Sequence, residues 1–219
     1  MPALLLGSIS TVADTSELQR QAFNQAFAEH GLDWRWDQDQ YRALLSGNGG
    51  QARIADYAQS RGQTVDAKAI HETKSRIFQE ELAKGGLAPR DGIVDTVKRV
   101  KSDGWKVGLV TTTSPANVAA LLGALSPQLQ AGDFDVIVDS SSVERPKPDK
   151  AAYVFALESL GEVPAGCIAV EDNVGGVQSA VAAGVKCIAF PNENTAGGDF
   201  TGAELRVDRL DTAELLDIA

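Results

Sequence analysis

The sequence predicts an α/β fold, a doubly wound parallel sheet with an all-helical segment inserted near its start. Three observations carry this. Short apolar runs recur in the second half of the chain, and segments of helical spacing lie between them, which is the pattern of a parallel sheet. A further run, Leu4-Leu5-Leu6, stands alone near the N-terminus. Between these, from about residue 14 to residue 86, apolar residues recur at helical spacing and no convincing strand interrupts them.

In order, the first strand is expected over 4–6, running into a small-residue loop, Gly7-Ser8-Ile9-Ser10-Thr11. Helical spacing then links Leu18, Ala22, Phe23 and Ala26, next Tyr41, Leu44 and Leu45, next Ile54, Ala55 and Tyr57, and finally Ile70, Ile77, Phe78 and Leu82. A helix over about 93–102 precedes a buried strand over 105–110. Ser114-Pro115 opens the following helix, with a hydroxyl at the cap and Pro in the first turn. Strands are expected at 134–138, 167–170 and 186–190, and helices at about 150–160 and 174–183. Asp211 and Glu214 form a capping-box pattern for a last helix. The expected division is an α/β core of 1–14 plus 88–219 and a helical cap of 15–87.

The 219 residues suit one core of ordinary size, and 43% of them are hydrophobic. A net charge of -10 argues against binding to nucleic acid or to an anionic membrane surface. No apolar run approaches the ~18 residues of a membrane span, and no charged-then-apolar leader opens the sequence, so a cytoplasmic location is expected. The two cysteines, Cys167 and Cys187, sit in apolar runs and read as buried thiols.

Ligands of such sheets bind beyond the carboxyl ends of the strands. Four segments fall there. The first is the opening loop, which carries no carboxylate. The second, Thr111-Thr112-Thr113-Ser114, ends a strand in hydroxyls at a helix N-terminus, which suits an anion and equally suits a plain helix cap. The third, Arg145-Pro146-Lys147-Pro148-Asp149, is a stiff loop bearing two cations, either phosphate-facing or solvated. The fourth is Glu171-Asp172, adjacent carboxylates at a buried strand end. Such a pair is costly unless bonded to loop N–H groups or to a hard cation such as Mg²⁺.

These segments, in this order, resemble the haloacid dehalogenase superfamily, in the group with a helical cap after the first motif. Within it the chain is most similar to CbbY-type phosphatases and β-phosphoglucomutase. Further matches lie in Asp14-Thr15-Ser16-Glu17-Leu18, Gly49-Gly50-Gln51-Ala52-Arg53-Ile54, and His71 with Lys74. The resemblance implies a Mg²⁺-dependent site for a sugar phosphate. In the family the first strand ends in D-x-D-x-T, whose first Asp attacks phosphorus and whose second serves as acid and base. Here those positions hold Gly7 and Ile9, and only Thr11 of the motif remains. The resemblance places Thr111, Thr112 and Arg145 on phosphate, with Lys147 a nearby substitute for Arg145. It places Glu171 and Asp172 on metal, and Glu17, Arg53 and Lys74 on the rest of the substrate. Ser8 and Ser10 offer hydroxyls without an evident base, and both histidines, His30 and His71, lie in the cap.

The expected function is a phosphatase homologue that lacks the catalytic carboxylates and keeps a phosphate-ligand pocket. Two alternatives stand beside it. One is an active Mg²⁺-dependent hydrolase or phosphomutase with an unorthodox nucleophile. The other is a scaffold acting through a protein partner.

Overall fold

The computed structural model describes residues 2–45 and 49–218. Its centre is a six-stranded sheet of β1 (Ala3–Leu6), β2 (Lys106–Val110), β3 (Val136–Val138), β4 (Ile168–Glu171), β5 (Lys186–Ala189) and β6 (Leu205–Arg206). The strand order is β3-β2-β1-β4-β5-β6, and every pairing is parallel. β1 lies between β2 and β4, where the winding reverses, so the ends of these three strands frame a crevice.

Alternation along β1 sorts its side chains to the two faces of the sheet. Leu4 and Leu6 join one apolar cluster, while Ala3 and Leu5 join the other. Both faces are covered, so this strand is apolar throughout, as expected for a parallel sheet. Helices α6 (Ile93–Ser102), α7 (Pro115–Leu125), α8 (Ala151–Leu160), α9 (Val174–Ala182) and α10 (Thr212–Ile218) complete the α/β part. Asp211 caps α10 by accepting from the Ala213 N–H at 2.8 Å.

Between β1 and β2 stand α1 (Ile9–Val12), α2 (Ser16–Glu29), α3 (Gln38–Leu44), α4 (Gly50–Ser60) and α5 (Ala67–Ala83). Phe23 and Phe27 of α2 pack against Trp36 with ring centroids 5.0 and 4.7 Å apart, and Trp34 and Tyr57 extend the cluster. Burying each of these rings stabilises by roughly 1.5–3 kcal/mol, which holds short helices together without strands. The Gln79 amide bonds Asn117 Oδ1 at 2.9 Å, joining α5 to α7, and the Asn194 amide bonds Ser16 Oγ at 2.9 Å. The helical segment is thus tied down across the crevice. Among the described residues no helix is long and apolar enough to cross a membrane.

Two elements differ from expectation. Residues 9–12 form a helical turn rather than a loop, because Ser8 and Thr11 make a reciprocal capping box. β6 is an added strand of two residues, held by the register of Leu205 with Ile188 and of Arg206 with Ala189.

Candidate functional site

The strand ends and the helical segment enclose a cavity of about 590 Å³. Its floor includes Ser8, Ile9, Thr111, Thr112, Asp172 and Asn192, and its roof includes Arg53, His71 and Lys74. Of the residues predicted for the site, Thr111, Thr112, Arg53, Lys74 and Asp172 therefore meet in one space. Glu17, Arg145 and Glu171 are not among its lining residues. Glu17 accepts from Arg20 Nε at 2.8 Å, and this bond holds its carboxyl below the usual value.

The expectation for Arg145 needs correcting. Its side chain is 74% exposed and pairs with Asp149 at 3.0 Å. Lys147, two residues on, turns inward instead and is buried. Its ammonium donates to the carbonyls of Gly7 and Val110, both at 2.7 Å, and to Glu171 Oε1 at 2.6 Å. An ammonium is a compact point donor that can serve three converging oxygens, whereas a guanidinium needs a planar fork.

Glu171 is fully buried and reaches under residue 7. An ideal Cβ built on Gly7 would lie 2.0 Å from its carboxyl carbon, and one on Gly176 would lie 2.1 Å from the same atom. The carboxylate thus fills the room that a side chain on residue 7 needs, and only glycine permits that on either side. Tyr153 donates to Oε1 at 2.7 Å, while Oε2 has no hydrogen-bond partner among the described residues. Burial pushes the Glu171 carboxyl up, with the Lys147 ammonium opposing, and pushes the Tyr153 phenol up as well.

Asp172 turns the other way, to the cavity floor. Oδ1 accepts from Ser8 Oγ, from Thr11 Oγ1 at 3.3 Å and from the Asn173 amide at 3.1 Å. Oδ2 accepts from the Asn192 amide at 2.9 Å. Ser8 therefore has a carboxylate acceptor, which the sequence order did not suggest. Ile9 packs into the apolar core at 5% exposure. Arg90 fixes this turn from behind by donating to the carbonyls of Ser10, Phe190 and Pro191.

Of the two carboxylates predicted for Mg²⁺, only Asp172 faces the cavity. Mg²⁺ takes one or two protein carboxylates and completes its shell with waters and ligand phosphate oxygens. One oxygen of Glu171 is held by Lys147 and Tyr153, and the other lies in the closed space between Gly7 and Gly176. Both oxygens of Asp172 already accept from neutral donors. Among the described residues no cluster of three or more Asp, Glu, His or Cys is arranged for a metal.

The roof is cationic. Lys74 is 4% exposed, with its ammonium 4.9 Å from the Phe23 and Phe78 ring centroids and 3.1 Å from Gln19 Oε1. Burial, then the nearby Arg53 guanidinium, lowers its pKa from 10.5 to about 7. His71 is lowered to about 4 by burial and by Lys74 and Arg53, so it is neutral at pH 7. Arg53 lies 5.9 Å from the Phe23 and Tyr41 ring centroids and donates to the Leu44 carbonyl.

The Lys74 value gives a prediction with a definite sign. Between about pH 7 and 10.5 the unfolded chain binds a proton at this lysine that the folded chain does not. Its contribution should therefore make folding more favourable as pH rises through that window, and be flat below it. Urea midpoints of the parent and of Lys74→Met, compared across the window, should diverge toward lower pH, with the variant the more stable. Parallel curves would exclude a buried, low-pKa amine.

The roles of Tyr153 and Asn192 were missed in the sequence, and neither carries a local mark of what it does. For Lys147 the signal was present, a second cation in the same loop. Gln19 drew no role from its position, and its amide oxygen proves to hold Lys74.

Comparison with known proteins agrees with this frame. The haloacid dehalogenase-like hydrolase family matches residues 10–190. The chain is 38% identical over 216 residues to protein CbbY of Rhodobacter capsulatus, spanning 97% of this chain and 95% of that one. It is 37% identical over 225 residues to the plasmid CbbY of Cupriavidus necator, spanning 98% and 88%. Two crystal structures of CbbY from Rhodobacter sphaeroides superpose closely. A mutant bound to xylulose-(1,5)bisphosphate has a TM-score of 0.88 at 36% identity, covering 95% of this chain and 94% of that one. A phosphate complex has a TM-score of 0.87 at 36% identity, covering 98% and 96%.

Proposed function

We infer the function from one premise: the chain belongs to the haloacid dehalogenase-like hydrolase family, in its CbbY subgroup. The reading we propose is a member that binds a phosphorylated sugar and does not turn it over at an enzymatic rate. The observation that carries it is the Glu171 carboxylate, which stands where a side chain on residue 7 would stand. The family's attack on phosphorus requires a carboxylate on that residue, free to reach the cavity. Glu171 does not replace it, because it is sealed beneath Gly7 and paired with Lys147.

Ligand binding is supported by what remains. A cavity of about 590 Å³ is large enough for a sugar phosphate. The relatives' complexes make a phosphorylated sugar the chemical class to test first. Binding the ligand without a group that is stronger in the transition state gives affinity without rate.

The test is direct. Purified protein with Mg²⁺ should release phosphate from sugar phosphates and bisphosphates far below the ~1–10³ s⁻¹ typical of enzymes. The same compounds should raise the melting temperature saturably, as mass action requires. Turnover in the enzymatic range would sink the reading. A flat melting temperature across the panel would favour the scaffold alternative.

The second reading, an active enzyme with an unorthodox nucleophile, has one observation in its favour, the Ser8 hydroxyl on Asp172. Ser8 is also the cap of α1, where its oxygen accepts from the Ser10 N–H at 3.0 Å, and that role alone accounts for its position.

A further inference from the structure

The turn that follows β5 touches two parts of the molecule at once, and it is pinned at both ends. Arg90 holds its start by donating to the carbonyls of Phe190 and Pro191, both at 2.7 Å. Arg206 holds its far end by donating to the Ala196 carbonyl at 2.6 Å. Residues 192–195 lie between these pins.

Inward, this stretch is keyed to Asp172. The Asn192 side chain uses both of its ends. Its Oδ1 accepts from the N–H groups of Asn194 and Thr195 at 3.0 and 3.2 Å, and its nitrogen donates to Asp172 Oδ2 at 2.9 Å. Two main-chain donors on one side fix which way the planar amide faces. Thr195 Oγ1 donates to the Asp172 carbonyl at 2.6 Å and accepts from the Asn192 N–H at 2.9 Å. Ser8, Thr11 and Asn173 serve the other carboxylate oxygen, so among the described residues the donor to Oδ2 is Asn192.

Outward, the same stretch is fastened to the helical segment. Glu193 Oε1 accepts from Gln38 Nε2 at 2.7 Å and from Arg42 Nη2 at 3.4 Å, both on α3. The Asn194 amide donates to Ser16 Oγ, at the start of α2, at 2.9 Å. The attachments differ in strength. Asn192 and Asn194 are 5% and 3% exposed, so their bonds are made away from water. The Glu193 side chain is 67% exposed, and an ion pair there is weak. A lifting of α3 therefore breaks the Glu193 contacts first.

We propose that residues 192–195 are a strap that couples the seating of α3 to the Asp172 carboxylate. With α3 seated, the strap holds the Asn192 amide on Oδ2, and that oxygen is closed to a ligand. With α3 lifted, the turn relaxes between its two pins and the amide withdraws. Oδ2 then opens to the cavity, which Asn192 and Asp172 both line. Coupling of this kind is reciprocal, so whatever takes Oδ2 from Asn192 also loosens α3. The helical segment opens at its α3 edge, while the Gln79–Asn117 bond keeps α5 on α7. The coupling does not depend on whether a ligand is turned over.

Backbone amide exchange of the full chain, followed residue by residue by NMR, tests it. The reporters are the α3 amides on one side of the strap and, on the other, the Ser10 N–H, which bonds Ser8 Oγ beside Asp172. Glu193→Ala changes an exposed side chain and should leave the protein folded. It should speed exchange about five-fold or more in α3 and also at Ser10 and Thr195, the low end of an ordinary coupling between sites. Asn192→Ala removes no α3 contact, yet it should speed exchange in α3 by a similar factor. The amides of α8 are the control and should keep their rates.

Faster exchange confined to α3 in Glu193→Ala would reduce the outer contacts to a plain surface attachment and overturn the proposal. Folded Asn192→Ala with α3 unchanged would do the same. So would a uniform rise in Glu193→Ala that includes α8, because it reports global loosening instead of coupling. Should Asn192→Ala not fold, Glu193→Ala decides alone.

Discussion

Gly7→Asp combined with Ile9→Asp should raise phosphate-ester hydrolysis in the presence of Mg²⁺ by roughly 10³-fold or more over the parent, since removing a nucleophile elsewhere costs about 10⁴–10⁶. The geometry says what else must happen. The new Cβ on residue 7 falls 2.0 Å from the Glu171 carboxyl carbon, so that carboxylate has to leave. It is the far end of a flexible side chain. The introduced carboxylate would then take the place of Glu171 beside Lys147. Steady-state phosphate release and a melting curve on the same sample separate a failed site from a failed fold. The second check matters because Ile9 is 5% exposed in an apolar cluster, where an aspartate is costly. A folded double variant with no gain would show that more of the site has gone than its two missing carboxylates.

The second large effect concerns stability. Lys147→Met should destabilise the fold by about 3–5 kcal/mol, the usual cost of leaving one member of a buried ion pair alone. Lys147 and Glu171 have side-chain exposures of 6% and 0%, so solvent screens neither. The loss should depend on pH, with a definite sign. Burial already raises the Glu171 carboxyl, and without its ammonium it rises further. A group whose folded pKa lies above its unfolded value contributes stability below the unfolded value and loses it as pH rises through the folded one. The variant should therefore approach the parent near pH 4.5 and fall behind toward neutrality. Lys147→Met with Glu171→Leu should recover most of the loss, because an apolar pair leaves no charge unmatched. Urea unfolding at two pH values checks all three statements. A pH-independent loss that Glu171→Leu does not relieve would point to packing alone.

The α/β alternation was legible because the central strands are buried on both faces and the intervening helices have an apolar side. Signals of that kind are local and repeated. β6 was not legible, since two residues carry no periodicity and Leu205 and Arg206 are placed only by β5. The turn at Ile9–Val12 was too short for helical spacing, though Ser8 and Thr11 held its capping signal. In the site, Thr111, Thr112, Asp172, Arg53 and Lys74, read from strand ends and helix faces, line the cavity, and Asn192 was not foreseen. The choice between Arg145 and Lys147 was not, because a proline loop has no period and tertiary contacts decide which cation turns inward. Nor could adjacency alone show that Glu171 and Asp172 point to different places. That depends on the empty side-chain positions at Gly7 and Gly176, which lie far apart in sequence.

The seat of Glu171 also acts as a competition. A carboxylate tethered 2.6 Å from Lys147 is present at an effective concentration that a dissolved anion must match to displace it. For groups held on short tethers that concentration is millimolar or above, and here the backbone holds it rather than a flexible linker. A dissolved anion therefore meets an inner cation whose binding site is already saturated from within.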